Sequence, residues 1–435
     1  MLFIYNLIVQ TAGFLLKIIA PFSPKMKLFV DGRKEVFTIL QNKIAANDKT
    51  IWFHAASLGE YEQGLPVIEK IKIKYPNHKI VVSFFSPSGY EVRKNNTVAD
   101  ATVYLPLDTK ANAKKFLQAI HPDLVFFIKY EYWPNYLKEL KNQNIKTYLI
   151  SGIFRENQAF FKGYGGFYRN ALKTFNYFFV QNESSKNLLQ SIGFHNVKIS
   201  GDTRFDRVVS ILERDNSLDF IEQFRDSSPE LGKTITVVIG SSWPKDENLL
   251  VNYINNAPEN VKFILAPHNI KSEQIQELKK SITKKTILFS EVETRLIASA
   301  NKQSISKTET RLIASLREYN VFIIDTIGIL TKIYSYADIA YVGGGFGTAG
   351  LHNILEPATF GVPIIIGPNY SNFAEAIALV HQEGCVSVSN STELYEALDN
   401  LISNEDIRHE KGHICATFVQ MNKGATEVIL KQLEN

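Results

Sequence analysis

Short apolar runs that alternate with helix-like stretches constrain this chain more than any other feature. In the first half the runs are IWFHAA, KIVVSFF, ATVYLPL, DLVFFIKY, KTYLISG, YFFVQ and VKISG. Helix-like stretches such as GLPVIEKIKIKY and TKANAKKFLQAI lie between most of them. Runs this rich in Val, Ile and Phe suit strands that are covered on both faces, as in a parallel sheet. The first half therefore predicts an open α/β sheet.

The same alternation returns in the second half of the chain. Its apolar runs are TITVVIGSS, VKFILAPH, VFIIDT, IAYVGGG, VPIIIGP and VSVS. A chain of 435 residues is too long for one ordinary core and predicts two domains. The charged segment from Arg204 to Lys233, with Ser227-Ser228-Pro229 near its end, is the best candidate for their connection. Two such sheets side by side would face a cleft, where ligands bind in these folds.

Composition narrows the class of partner and the compartment. The chain is 45% hydrophobic and 21% charged, which is typical of a globular protein. Its net charge of +4 gives no indication of a nucleic-acid partner. The two cysteines, Cys385 and Cys415, lie far apart without metal-ligand spacing, so we interpret them as reduced thiols in a cytosolic environment.

The N-terminal stretch from Met1 to Ala20, MLFIYNLIVQTAGFLLKIIA, is nearly all apolar. Its few polar residues and its glycine recur at helical spacing and form one narrow stripe, which would face headgroups or protein: Asn6, Gln10, Gly13 and Lys17. Full spanning of a bilayer needs about 20 apolar residues, so the length is borderline. A cleaved signal peptide and a buried amphipathic helix remain alternatives. The lysines and arginine after the stretch favour the cytoplasmic side.

The string ETRLIAS occurs twice, at Glu293 to Ser299 and at Glu309 to Ser315. Two copies do not make a repeat architecture, which needs several. We interpret them as a local duplication in a surface helix or loop, and assign it no function.

The segment from Gly343 to Pro368, GGGFGTAGLHNILEPATFGVPIIIGP, is the richest in candidate binding residues. It contains GFGTAG, Gly345 to Gly350, which matches G-x-G-x-x-G and alone indicates a dinucleotide. That fingerprint expects an acid at the end of the next strand, whereas here Pro363 to Ile366 continues into Gly367-Pro368-Asn369. We therefore favour a glycine turn that presents backbone N–H groups to a phosphate over an NAD site.

His352, Asn353 and Glu356 are expected at the start of the helix that follows this turn. On such a helix His352 and Glu356 would lie one turn apart and could face the same ligand. The alternative for His352 is a helix-start residue bonded to backbone. For Glu356 it is an acid that interacts with the helix dipole.

Two further turns follow strands of the second half. GSSWPKDE, Gly240 to Glu247, brings Ser241 and Ser242, which could donate to a phosphate or cap the next helix. APHNI follows KFIL and brings His268 to the same edge of the sheet. Three turns suited to anions on one edge predict a phosphate site.

Glu60 ends the motif HAASLGE and opens a predicted helix in the first half. An acid in the first turn is favoured by the helix dipole, so a purely structural role is the simplest interpretation. The same helix end keeps a carboxylate ionised, which a general base for a hydroxyl acceptor requires. Ser57 and Gly59 would allow a substrate to approach closely there.

These motifs together resemble the 3-deoxy-D-manno-octulosonic acid (Kdo) transferases of lipid A biosynthesis, over nearly the whole chain. The glycine segment Gly343 to Pro368, combined with an N-terminal anchor, is quite specific to that family. The other motifs that carry the resemblance are HAASLGE (His54 to Glu60), EYWPN (Glu131 to Asn135), SGIFRE (Ser151 to Glu156), VQNE (Val180 to Glu183), GDTRFDRV (Gly201 to Val208), GSSWPKDE and APH.

The resemblance implies a two-domain, metal-independent inverting glycosyltransferase of the B-type α/β fold. It would move Kdo from CMP-Kdo to a glucosamine hydroxyl of a lipid A precursor, without a cofactor. The implied divisions are a membrane anchor at 1–20, an acceptor-binding Rossmann-like domain at 21–210, a donor-binding Rossmann-like domain at 211–410, and a C-terminal helix at 411–435 that packs back toward the first domain. The implied location is the cytoplasmic side of the inner membrane, with residues 1–20 contacting its lipids.

The resemblance also implies roles for individual residues. Glu60 would be the general base, with Ser57 and Gly59 on the acceptor side. Arg155 and Arg204 are candidates for the sugar carboxylate or the phosphate, because arginine binds both in bidentate fashion; their alternative is a salt bridge. The implied donor-binding positions are Ser241, Ser242, His268, Gly343, Gly344, Gly345, His352, Asn353 and Glu356.

Two other classes of protein fit parts of the pattern. Another B-type nucleotide-sugar enzyme, such as a different glycosyltransferase or an epimerase, would share the sheets and the phosphate turns. An epimerase has no need of an anchor at 1–20. A membrane-tethered nucleotide-binding protein without catalysis would have no need of Glu60.

Overall fold

The computed structural model describes residues 1–226, 233–300, 316–348 and 350–434. Within these ranges the chain forms two compact units. The first comprises Met1–Arg207 together with Asn422–Asn435, and the second comprises Val208–Met421. Of the predicted connection, Ser227-Ser228-Pro229 lies outside the described residues.

The first unit is built on a sheet of seven parallel strands in the order β3-β2-β1-β4-β5-β6-β7. Its strands are β1 Lys49–Ala55, β2 His78–Phe84, β3 Ala101–Tyr104, β4 Pro122–Ile128, β5 Lys146–Gly152, β6 Tyr177–Val180 and β7 Val197–Ile199. Each of the seven predicted runs contains one of them. The strand order reverses between β1 and β4, the switch point at which open α/β sheets bind ligands.

Burial on both faces explains why these runs are apolar throughout. In β1 the side chain of Trp52 packs into one hydrophobic cluster, whereas Ile51 and Phe53 pack into another. Alternate residues of a strand point to opposite faces, so the two clusters lie on opposite sides of the sheet. A strand buried in this way has no position for an exposed polar side chain.

The second unit also has seven parallel strands, in the order β10-β11-β9-β8-β12-β13-β14. They are β8 Ile235–Ser242, β9 Val261–Pro267, β10 Thr286–Leu288, β11 Val321–Ile323, β12 Ile339–Val342, β13 Ile364–Ile366 and β14 Cys385–Ser387. Six of them fall on the predicted runs. Strand β10 was not predicted, since three residues after two lysines give no periodic signal. Here the strand order reverses between β8 and β12.

Helices connect the strands in both units. They are α1 Leu2–Ile19, α2 Pro24–Asp31, α3 Val36–Lys43, α4 Leu58–Lys74, α5 Pro87–Arg93, α6 Lys110–Ile120, α7 Pro134–Asn142, α8 Gly166–Leu172, α9 Glu183–Ser191, α10 Thr203–Val209, α11 Asp219–Arg225, α12 Pro244–Asn256, α13 Ser272–Ser281, α14 Phe289–Ala300, α15 Leu330–Ile333, α16 Leu355–Thr359, α17 Ala374–His381, α18 Ser391–Ser403, α19 Glu405–Asn422 and α20 Ala425–Gln432. Short 3₁₀ turns occur at Ala20–Phe22, Ala159–Phe161, Gly163–Gly165, Leu316–Glu318 and Tyr334–Tyr336. The first ETRLIAS copy falls within α14, and the second lies outside the described residues.

Helix α1 is apolar and mostly exposed, and Gly13 is its one buried residue. By length and composition, Leu2–Phe22 could cross a membrane, and no other helix in the described part of the chain meets that test. Of its polar stripe, Asn6 and Gly13 face the protein, whereas Gln10 and Lys17 are exposed. Asn135 Nδ2 donates to Asn6 Oδ1 at 2.8 Å, and the neighbouring Tyr5 donates to Asp108 at 2.7 Å. The exposure of the remaining residues disagrees with the alternative of a buried amphipathic helix.

Candidate functional site

Glu60 lies on the carboxyl edge of the first sheet, beside the switch point between β1 and β4. It is the third residue of α4, and the Ser57 hydroxyl before that helix donates to Glu60 Oε2. Glu60 is partly exposed, and Oε1 has no hydrogen-bond donor among the described residues. A Cβ added at Gly59 would meet only Ser57 Oγ, at 3.9 Å. One carboxylate oxygen is thus oriented by the protein, while the surface beside it is open.

Tyr130, just after β4, brings three of the predicted residues together. Burial is the main cause that raises the pKa of its phenol, and the Glu60 carboxylate raises it further. The guanidinium groups of Arg155 and Arg204 act in the opposite direction. The Arg155 guanidinium carbon lies 5.6 Å from the centre of the Tyr130 ring. The segments that follow β1, β5 and β7 therefore place one acid and two arginines around this ring.

The two arginines differ in what already binds them. Arg204 pairs with Asp202 at 2.8 Å, and Gln63 Nε2 donates to the same carboxylate at 2.7 Å. Arg155 is exposed, and its guanidinium has no carboxylate partner in the described ranges. Arg204 thus matches its salt-bridge alternative, with an acid two residues before it in the chain. Arg155 has the more available guanidinium.

A buried polar network at the ends of β1, β2 and β4 was not predicted as part of a site. His54 Nε2 lies 3.0 Å from Glu131 Oε2, and His54 Nδ1 lies 2.8 Å from Ser83 Oγ. Trp133 Nε1 also donates to Glu131, at 2.6 Å. The network ties the ends of β1, β2 and β4 together. The sequence signal was present, because His54 and Glu131 are polar residues at the ends of two apolar runs.

In the second unit the irregular end of β8 gives the two predicted serines different environments. The pairing of β8 with β9 is irregular between Gly240 and Ser242, and Ser241 has a left-handed φ of 54°. Ser241 is partly exposed, whereas Ser242 is buried and its hydroxyl donates to Glu247 at 2.9 Å. A phosphate contact stays a prediction for Ser241, whereas the hydroxyl of Ser242 bonds to a residue of the next helix, as in its alternative role. Its Oγ is already used inside the unit.

The two predicted histidines lie together against Trp243. The Trp243 and His268 rings stack 4.4 Å apart, and the His268 and His352 rings are 4.6 Å apart. Trp243 Nε1 donates to His352 Nε2 at 3.0 Å. Burial, and secondarily His268, lowers the pKa of His352, so the ring is neutral at physiological pH. A neutral ring that accepts at Nε2 carries its proton on Nδ1, which can donate to an anion.

Asp246 holds the glycine turn and was not predicted. Its carboxylate accepts from the backbone of Trp243 at 2.9 Å and of Gly344 at 3.0 Å, and from the Tyr341 hydroxyl at 2.8 Å. A Cβ at Gly343 would lie 2.4 Å from Ser241 O, and Gly344 has a φ of 96°, so both positions require glycine. The third glycine, Gly345, packs against Gly367. An acid three residues after Trp243, at the start of a helix, is a recognisable capping signal.

The residues after the glycine turn correct one prediction. Helix α16 begins only at Leu355, so His352 and Asn353 precede it and are not one helical turn from Glu356. Asn353 Oδ1 accepts from the Leu355 N–H at 3.1 Å, and this bond sets the late start. Glu356 accepts from Thr331 at 2.7 Å and from Asn353 at 3.1 Å.

The described residues contain no group of three or more His, Cys, Asp or Glu side chains that could hold a metal ion. Ser241 lies at the end of β8, and His268 and the Gly343–Gly345 turn follow β9 and β12 at the same edge of the second sheet. The donors found there are hydroxyls, ring N–H groups and backbone N–H groups. Such groups bind anions rather than metal ions.

Comparison with known proteins identifies the family. Residues 31–207 match the family model described as 3-deoxy-D-manno-octulosonic-acid transferase (kdotransferase). A 3-deoxy-D-manno-octulosonic acid transferase of Chlamydia trachomatis serovar D is 30% identical over 88% of this chain and 86% of its own length. One of Haemophilus influenzae is 25% identical over 88% of this chain and 86% of its own.

The fold has a solved counterpart. The crystal structure of UDP-GlcNAc 2-epimerase from Neisseria meningitidis is similar with a TM-score of 0.56 and 15% identity, covering 89% of this chain and 100% of that chain. At that identity the likeness concerns the fold alone. With the two parallel sheets, it confirms the predicted B-type fold. The sequence relatives decide the activity, and the chain belongs to the 3-deoxy-D-manno-octulosonic-acid transferase family of glycosyltransferases.

Proposed function

We propose that this protein transfers Kdo from CMP-Kdo to a glucosamine hydroxyl of a lipid A precursor, with inversion, in lipopolysaccharide core biosynthesis. Because the chain belongs to this family, Kdo is the group that we expect it to transfer. The observation that carries the mechanism is Glu60, whose Oε2 is oriented by Ser57 while Oε1 stays available at the carboxyl edge of the sheet. An ionised carboxylate with a free oxygen is suited to general-base catalysis.

The chemical step needs one proton transfer and one displacement. Glu60 takes the proton of the acceptor hydroxyl as that oxygen forms a bond to the anomeric carbon of Kdo. The bond from that carbon to the phosphate oxygen of CMP breaks at the same time, and its electron pair leaves with CMP. Because attack and departure occur on opposite faces, the configuration inverts. Arg155 is the better placed of the two arginines to bind the sugar carboxylate.

The second unit supplies the groups for the donor. The Gly343–Gly345 turn, Ser241 and the Nδ1–H of His352 would bind the phosphate of CMP. Glu356 would accept from a ribose hydroxyl. CMP is already a good leaving group, so binding and neutralising its phosphate suffices, and we propose that the reaction requires neither metal nor cofactor. For Ser242 we propose no direct contact through its hydroxyl.

We also propose that α1 anchors the enzyme in the inner membrane, with the two units on the cytoplasmic side. Its exposed apolar residues favour lipid contact, and Lys25 and Lys27 follow it as exposed cations. A lipid acceptor makes such an anchor useful, because the substrate lies in the same membrane.

The test is to incubate the full-length protein with CMP-Kdo and a tetraacylated lipid A precursor in EDTA, and to measure product masses. We expect the acceptor to gain the mass of one or more Kdo residues. A product that forms only after a divalent metal is restored would refute the metal-free reaction. An isomerised nucleotide sugar without any acceptor product would identify an epimerase instead.

A further inference from the structure

A crevice of about 310 Å³ lies between α1, α2 and the segment after β3 in the first unit. Its size is at the lower end of small-molecule sites. Gly13 sets one border, since a Cβ there would lie 2.7 Å from Leu107 Cδ1. The apolar side chains that line the crevice are Leu16, Phe29, Val30, Phe37, Pro106 and Leu107.

The charged side chains that border the crevice are all cations: Lys17, Arg33 and Lys34. Lys34 pairs with Asp31 at 2.6 Å. Lys17 is exposed and has no acidic partner among the residues that the structure describes. The rim therefore retains an uncompensated positive charge, which complements an anionic group.

Arg33 adds a second cation without an acid. Its guanidinium donates to the carbonyl oxygens of Leu105, Phe29 and Phe85 at 2.9, 2.8 and 2.7 Å, and lies 3.5 Å from the centre of the Phe29 ring. Burial lowers its pKa to about 9. No carboxylate contacts it within the described ranges. A cation neutralised only by carbonyl dipoles and rings favours an anion nearby.

The crevice opens at the same edge of the sheet as Glu60. Leu105 and Leu107 follow β3, Phe85 follows β2 and Glu60 follows β1, and these three parallel strands are neighbours. Neighbouring strands are about 4.8 Å apart, so the ends of β1 and β3 are separated by roughly 10 Å. A lipid whose sugar lies at Glu60 can reach the crevice along this edge.

On its other side, the crevice borders the helix suited to a bilayer. The side chains of α1 that are exposed include Phe3, Ile4, Leu7, Ile8, Phe14, Leu15, Ile18 and Ile19. The exposed apolar side chains and part of the crevice wall belong to the same helix, so an apolar chain in the membrane beside α1 lies close to the crevice. Apolar walls, a cationic rim and this continuity together specify an acidic lipid.

We propose that this crevice holds one acyl chain of the lipid acceptor, with an anionic group of the same lipid against Lys17. The inference rests on the proposed transfer to a lipid, and it adds the place at which the protein binds an acyl chain of that lipid. An acyl chain held there would position the acceptor sugar at Glu60 and make the enzyme select acylated over soluble acceptors.

The first test fills the crevice. Leu16→Trp should lower kcat/KM for the tetraacylated acceptor roughly tenfold, because the bulky ring excludes several methylenes from an apolar site. With a fully deacylated acceptor the same variant should match the wild type within about twofold. Leu15→Trp is the matched control, since Leu15 is the neighbouring residue of α1 but points outward with 49% exposure. Thermal unfolding of both variants monitors folding.

The second test locates the acyl chain directly. A tetraacylated acceptor with a photoreactive diazirine at an acyl terminus should label peptides of α1, α2 and 105–107 in the wild type, and less in Leu16→Trp. Equal losses in the Leu16 and Leu15 variants, or labels elsewhere, would overturn the inference while leaving transfer intact. Equal labelling by a diazirine phospholipid would make the crevice a site for bulk lipid. If the wild type forms no product at all, the transfer reaction itself is overturned, and the acceptor assignment with it.

Discussion

At the scale of single residues, Glu60 shows how a structural role and a chemical role coincide. Its position in the first turn of α4 and its bond from Ser57 are what a helix start favours. The same contacts orient one carboxylate oxygen and leave the other at the open surface. The role at the helix start and the role as a base both need a negative charge. The base function of Glu60 therefore does not have to lower the stability of α4.

Glu60→Gln should reduce transfer by roughly 10²–10⁴-fold, since an amide cannot accept the proton of the acceptor hydroxyl. Binding of CMP-Kdo, measured by calorimetry, should stay within about twofold, because the donor-binding residues are unchanged. Glu69→Gln, further along the same helix, is the control and should leave both quantities unchanged. Turnover of the Glu60 variant near the wild-type rate would show that another group accepts the proton.

The two serines at the end of β8 show what the sequence could not predict for single residues. In a regular strand, neighbouring side chains point to opposite faces, but the irregular pairing and positive φ at Ser241 interrupt that alternation. From the sequence alone, Ser241 and Ser242 were equally good candidates for a phosphate contact. Only the fold shows that Ser242 donates to Glu247, and that Asp246 holds the turn through three hydrogen bonds.

At the scale of elements, the strands were predictable because both of their faces are buried and the runs are therefore apolar. The elements that could not be predicted from the sequence are those whose first and last residues depend on a single contact. Strand β10 has three residues and pairs only with β11. Helix α16 begins at Leu355 because the Asn353 side chain accepts the Leu355 N–H, which no periodicity reveals.

The contact between α12 and the glycine turn gives a prediction at this scale. Asp246→Asn replaces a buried acceptor of three bonds by an amide, and a hydrogen bond to a charged group contributes about 1.5–3 kcal/mol. We expect the KM for CMP-Kdo to rise roughly tenfold, because the turn loses its fixed geometry. Steady-state kinetics at saturating acceptor measure this change.

Glu393→Gln is the control for that variant. Glu393 lies in the first turn of α18 in the same unit and accepts from the Ser389 N–H at 2.7 Å, but it is far along the chain from the glycine turn. It should leave the donor KM unchanged. If both variants raised KM equally, general loosening of the unit rather than the turn would be responsible.

At the scale of the whole molecule, the chain leaves the first unit at Arg207 and returns to it at Asn422. The returning helix α20 buries Ile429 in the cluster that contains Tyr61, Leu65 and Ile68 of α4. Asp206 receives hydrogen bonds from Gly424 N at 2.5 Å and from Thr426 N at 2.7 Å. The helix that carries Glu60 is therefore supported by the last residues of the sequence.

A chain that ends at Met421 should consequently lose stability in the first unit alone. Loss of a fully buried isoleucine costs roughly 2–5 kcal/mol, and Asp206 would lose its partners as well. We expect amide exchange to accelerate in α4 and β1 while β8, β9 and β12 keep their protection. A chain that ends at Leu433 is the control, because it keeps α20 and, of the contacts described, loses only the Lys74–Glu434 surface pair, which contributes little. Equal acceleration in both units would mean that the second unit also depends on α20, and unchanged protection in α4 would mean that Ile429 does not support it.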